Sequence, residues 1–331
     1  MTNITSITQP GRNNLAGVDT ALFLDKFSGE VLTVFDKSNI MLPLSNVKRI
    51  TEGRSFQWPR IGRTEALYHA KGENLMLDSN GYLKELETTA VTIQVDKPLI
   101  STTFIDNWDA LLSHYDYRAE VAKQLGESLS DTIDSQLMRL VALAAEEATP
   151  FAGAINADVK GATVEISAAA TETIKDGIRK ATVALKRNNV RADDIVVAVS
   201  PEDYMALLMD DSVSSYDYAS SANSDRSEGR FLKLFGVKIV ETNRLGATGI
   251  GGGTFTADAG ELNDYVGVDG DFTDVRALMW HKDAIGTVLR QDIMSEAEYR
   301  MDFQGTQLLT KMVAGHGILR GECAVKIIDV A

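Results

Sequence analysis

The chain has 331 residues, enough for about two domains, each with a core of its own. Apolar residues make up 44% and charged residues 24%, as in an ordinary soluble globular protein, and no stretch approaches about 18 uninterrupted apolar residues, so neither a membrane span nor an export signal is expected. A net charge of −14 sets the surface as a whole against nucleic acid, and the single cysteine, Cys323, allows no intramolecular disulfide and no paired-thiol metal site.

Residues 1–17 are polar, rich in Asn, Thr and Gly, and read as a tail. The next segment places Leu22, Phe23, Phe27, Val31, Leu32 and Phe35 at helical spacing ahead of any evident domain, so its apolar face is expected to dock on another surface. Residues 1–60 hold seven basic and five acidic side chains, which leaves the excess negative charge to the rest of the chain.

From Arg54 the apolar period falls to two. Phe56, Trp58 and Ile61 form one leg of a hairpin, and Pro59 marks an edge strand whose amide no neighbour needs. Val91, Ile93 and Val95 form the returning leg, and the turn pair Asn80-Gly81 lies between. A two-stranded ribbon is marginal in water, so support is expected from outside it on both faces, most simply from another copy of the chain.

Between His114 and Glu147, the residues Val121, Leu125, Leu129, Ile133, Leu137 and Leu140 recur every three or four positions, with Lys123, Glu127, Asp131, Asp134 and Arg139 between them. This predicts one long amphipathic helix over 116–148, roughly 45 Å long at ~1.5 Å per residue, on which other parts of the chain can be laid. Asp116 suits its start; Glu146 and Glu147 oppose the dipole at its end, and Thr149-Pro150 stops it.

Strand character at 162–166, an amphipathic helix from Ile174 to Arg187, an apolar strand Ile195–Val199 and a helix opened by Ser200-Pro201-Glu202-Asp203 make residues 161–282 an α/β domain. Strands at 236–241 and 275–280 belong to it. The serine-rich segment 212–229 reads as a long loop. Beyond His281 the pattern is strand-like to Phe303, and a last strand, 324–330, is expected to return to the long helix.

Catalytic signals are absent. His69, His114, His281 and His316 are far apart, in no metal-binding spacing, and read as surface or packing histidines. The Gly-rich stretch 246–253 follows a strand but leads into no apolar helix, so it reads as a turn and not as a phosphate loop. Asp269, Asp271 and Asp274 lack the further oxygen ligands of a calcium loop. No enzyme activity, cofactor or metal is expected.

Four stretches in register, 21–35, 57–75, 114–129 and 280–288 with 314–320, resemble the major capsid protein of T-seven-type podoviruses, and the likeness covers nearly the whole chain. The resemblance implies an α+β, Hong Kong 97-like phage capsid fold. Its parts would be an N-terminal arm (1–50), an E-loop hairpin (51–98), a P-domain with the spine helix (99–160 and 283–331) and an A-domain (161–282). It implies hexamers and pentamers in an icosahedral shell around double-stranded DNA, formed through a scaffold-assisted precursor that expands. The implied partners are a scaffolding protein, a portal protein, DNA bound without sequence specificity and, as an option, a decoration protein. The implied location is the virion, after assembly in the host bacterial cytoplasm. As the arm starts close to Met1, no cleaved amino-terminal domain is expected.

The expected assembly contacts are Phe23, Phe27, Trp58, Arg60, Arg63, Tyr68 and Lys71, where basic and aromatic side chains mix as they do at protein interfaces. Trp58→Ala with Phe27→Ala should therefore leave soluble subunits that do not close into particles. Two other classes stay open: an encapsulin-like compartment, which shares the fold and encloses enzymes, and a nucleotide-using α/β enzyme built on the Gly-rich loop.

Overall fold

The computed structural model of the chain describes residues 29–35, 38–61, 66–69, 71–75, 88–95, 97–108, 117–147, 160–167, 172–191, 193–209, 224–225, 230–231, 233–245, 254–255, 270–272 and 274–330. The main elements in chain order are strands β1 (Asn46–Arg49), β2 (Ser55–Ile61), β3 (Thr88–Gln94) and β4 (Leu99–Asp106), helix α1 (Tyr117–Glu146), β5 (Ala162–Ser167), α2 (Ile174–Arg187), β6 (Ile195–Val199) and α3 (Pro201–Met209). They are followed by β7 (Lys233–Leu234), β8 (Val237–Glu241), β9 (Val275–His281), β10 (Ile285–Arg300), β11 (Gly305–Ile318) and β12 (Ala324–Val330). The chain divides into two units. One holds Met1–Asn39, Lys97–Thr132 and Gln291–Ala314; the other holds Ile40–Asp96, Ile133–Arg290 and Gly315–Ala331.

In the first unit β4 runs antiparallel to the start of β11, from Asp106 opposite Gly305 to Leu99 opposite Met312. A small core gathers Val31, Ala122, Leu125 and Leu308, with Ile105, Val121 and Ile293 packed round it. The helical stretch 29–35 lies so close to α1 that a Cβ at Gly126 would stand 2.9 Å from the Val31 carbonyl oxygen, so only glycine fits. Val31 and Phe35 are buried, so this part of the arm docks on a surface of the chain itself, while Leu32 stays exposed. Phe23 and Phe27 lie outside the described residues.

The second unit is built on a six-stranded sheet in the order β5-β12-β9-β6-β8-β7. All five residues of β6 are buried, as an Ile-Val-Val-Ala-Val run with no polar position demands. Ile174, Ile178, Ala181 and Leu185 of α2 pack on the sheet with Ile166, Val197, Ala277 and Ile327. Thr173 and Asp176 form a capping box at the start of α2, and Ser200 Oγ accepts the Asp203 amide at 3.2 Å to cap α3. The final strand meets the long helix through Lys326, and it also lies between β5 and β9, where Val325 and Ile327 supply core positions of the sheet.

The carboxyl half of α1 is more deeply buried than a single stripe requires: Met138, Val141, Ala142, Ala144 and Ala145 are buried beside Ile133, Leu137 and Leu140. Asp134, read from the sequence as part of the polar face, is fully buried. Its carboxylate accepts the backbone amides of Ile40 at 3.0 Å and Met41 at 2.9 Å and pairs with Arg244 at 3.0 Å. Glu146, read as opposing the helix dipole, is held by the mostly buried Lys326.

Of the four histidines, His69 is exposed, His281 and His316 are buried, and His114 lies outside the described residues. His316 Nδ1 stands 3.0 Å from Thr287 Oγ1, which is 3.4 Å from Ser45 Oγ, beneath the parallel pairing of β1 with β10. Burial pushes the His316 pKa down to about 4. Unfolded, the ring takes its proton near 6.5; folded, only near 4. Stability is therefore expected to hold above that window and to fall by up to about 3 kcal/mol as pH drops through it. Urea midpoints of wild type and His316→Gln at pH 7.5 and 4.5 check this: the variant should lose much of the difference.

Candidate interaction surfaces

Strands β2 and β3 pair antiparallel from Ser55 opposite Gln94 to Ile61 opposite Thr88, and the root closes where the Val95 amide donates to the Arg54 carbonyl at 2.7 Å. Alternation sends Phe56, Trp58 and Arg60 to one face and Ser55, Gln57, Pro59 and Ile61 to the other. The first face is half-buried. Phe56 and Trp58 meet edge to face at 4.7 Å, and Lys48 lies 5.6 Å over the Phe56 ring. The second face is open, so the expectation of outside support on both faces is corrected: the chain itself supports one of them near the root.

Two glycines of β11 make that root. A Cβ at Gly315 would overlap the Gln94 carbonyl oxygen, and one at Gly317 would lie 2.8 Å from Ile93 Cγ1. Ile93 is 2% exposed as a result. Nothing in a single sequence marks Gly315 and Gly317 as a seat for a strand more than two hundred residues away.

Between the two strands the described residues, 66–69 and 71–75, are all exposed. Leu67 and Leu75 are half exposed or more, and Tyr68 is 102% exposed. Of the contacts expected from the sequence, Tyr68 and Lys71 are exposed, and Trp58 and Arg60 are half-buried. Arg63, with Phe23, Phe27 and the turn Asn80-Gly81, lies outside the described residues. Trp58 packs on Phe56 within the ribbon, which makes Trp58→Ala a poor probe of assembly.

The sequence reading missed a second apolar surface. Where β10 turns into β11, Tyr299, Met301 and Phe303 are exposed beside Phe104 and Trp108. Asn107 Nδ2 donates to the Tyr299 hydroxyl at 3.2 Å, and the Phe104 and Phe303 rings meet edge to face at 6.3 Å. The alternation Tyr299, Met301, Phe303 was the signal that could have marked it. Contiguous exposed apolar patches of this kind mark interaction sites.

A third feature is polar. Lys233, Lys238, Lys282, Asp193 and Asp194 surround a cleft of about 440 Å³ whose wall includes Pro43 and Leu44. Among the described residues no group of three His, Cys, Asp or Glu side chains could hold a metal ion. The Gly-rich stretch and Asp269 lie outside the described residues.

A sequence profile of the family described as Gp10A-like, major capsid protein, matches residues 57–328. The major capsid protein of Escherichia phage T7 is 32% identical, with 99% of this chain and 99% of that protein covered. The capsid structure of cyanophage P-SCSP1u superposes with a TM-score of 0.72 at 28% identity over 88% of each chain. The mature capsid of bacteriophage PhiM1 superposes with a TM-score of 0.68 at 18% identity, over 88% of this chain and 87% of the other.

Proposed function

Since the chain belongs to the Gp10A-like family of phage major capsid proteins, we propose that its copies assemble as hexamers and pentamers of an icosahedral shell around double-stranded DNA. The shell itself, with its Hong Kong 97-type fold, comes with that membership. The finer reading is a scaffold-assisted precursor that expands on maturation in the host cytoplasm, with a portal protein at one vertex and a decoration protein as an optional outer partner.

In this reading residues 1–50 are the arm, and the ribbon within 51–98 is the E-loop, reaching over a neighbouring subunit. The long helix with the β10–β11 hairpin forms the P-domain, and the α/β sheet forms the A-domain near the capsomer axis. The observation that carries it is the ribbon: a two-stranded arm is marginal alone, one face and the tip are open, and Tyr68 is fully exposed. A net charge of −14 supports a wall that holds its genome loosely.

An encapsulin-like compartment would share the fold, and the family membership weighs against it. Negative-stain electron microscopy of the protein made alone and with a scaffolding protein tests the reading. Uniform closed shells, regular only or chiefly with scaffold, are expected; small discrete oligomers under both conditions would overturn it.

A further inference from the structure

The six-stranded sheet carries opposite charges at its two ends. Register places Lys238 opposite Val196 and opposite Lys233, and His281 opposite Ile195, so Lys233, Lys238 and Lys282 gather at the start of β6. The last turn of α2 adds Lys186 and Arg187 at the same end, and the connection after it adds Arg191, all exposed. Asp193, Asp194 and Asp283 stand among them, and Asp283 accepts from Asn46 Nδ2 at 2.8 Å.

At the other end Glu241 lies opposite Val199, Glu202 begins the helix that follows β6, and Asp274 precedes β9; these three are exposed. The cations near them are engaged. Arg276 is held by Asp203 and, at 3.2 Å, by Asp329, and Lys180 by Glu172 at 2.6 Å.

We propose that the basic end of this sheet, with its cleft, receives the acidic end of the same sheet in a second copy of the chain. The inference rests on the shell reading and names the contact within a capsomer. Charges at opposite ends of one rigid sheet cannot satisfy each other within the molecule. A two-fold contact would set like against like, whereas a head-to-tail contact satisfies both ends of each copy and closes a ring if the rotation permits. The occupant is protein and not nucleic acid, because a cleft of about 440 Å³ is too small to take a duplex.

The test is a charge swap on the full-length chain, assembled under whatever condition yields wild-type particles. One variant carries Lys233→Glu, Lys238→Glu and Lys282→Glu; another carries Glu202→Lys, Glu241→Lys and Asp274→Lys; a third carries all six. Each half-swap is expected to cut particle yield by about tenfold or more, and the full swap to restore it, because opposite charges face each other again.

Half-swaps that assemble like wild type at low salt overturn the inference, and so does a folded full swap that does not recover. A lysine half-swap that assembles normally and holds less DNA overturns it in favour of nucleic acid. Should a reversed chain fail to fold by circular dichroism, Lys→Gln at the three lysines decides: lost salt sensitivity of assembly supports the contact, unchanged sensitivity refutes it. If wild type forms no particles at all, the shell reading itself fails, a result distinct from these.

Discussion

Asp134→Ala is expected to destabilise the chain by about 3–5 kcal/mol, the range seen when one partner of a buried ion pair is removed. The carboxylate is fully buried, and it holds three groups at once: the Ile40 and Met41 amides and the Arg244 guanidinium, whose side chain is itself only 18% exposed. Removing it takes the acceptor from two backbone donors and the paired carboxylate from a mostly buried cation, and each loss carries a desolvation cost. Urea unfolding at constant slope reads the effect. Asp134→Asn keeps an acceptor for the amides and should lie between the two; Asp134→Ala with Arg244→Met should recover only the share owed to the cation. A shift under about 1 kcal/mol in Asp134→Ala would mean that the carboxylate is not the tie it is described to be.

Replacing Leu67, Tyr68 and Leu75 together by serine should do the reverse, leaving the fold alone and abolishing closed particles. All three are exposed, and surface changes of this kind move stability by about 0.5 kcal/mol or less. Every subunit in a shell repeats the same contact, so a modest loss at each is compounded round the closed surface. Circular dichroism and unfolding midpoints should match wild type, while electron microscopy shows only subunits or small oligomers. Normal shells from the triple variant would remove the ribbon tip from the list of assembly contacts.

Much of this architecture is written in local pattern. The long helix, the buried Ile195–Val199 run, the helix start at Ser200-Pro201 and the alternating legs of the ribbon each follow from spacing within a few residues, and the structure has them at or near the expected bounds. What escaped is what distance in sequence conceals. Asp134 sits at a polar position of a helical wheel, and only distant parts of the chain, Ile40 and Met41 on one side and Arg244 on the other, make that position interior. The last strand carries no mark of which sheet it joins, since Val325 and Ile327 would serve any core. Of the expected contacts, Tyr68 and Lys71 are exposed, whereas Trp58 could not be told from a packing tryptophan until its neighbour Phe56 was placed.

The glycine seat beneath the ribbon has a mechanical consequence. At Gly315 the backbone of β11 comes directly against that of Gln94, and at Gly317 it closes on the buried side chain of Ile93, which leaves little room to shear or rotate at that point. The ribbon is thus a cantilever with a clamped end. A force applied at Tyr68 cannot be relieved by swivelling at the root, so it must be stored as curvature and twist along β2 and β3, the soft modes of a two-stranded strip. Such a member acts as a leaf spring: a subunit displaced relative to its neighbour would feel a restoring load that grows with the displacement and remains until one end lets go.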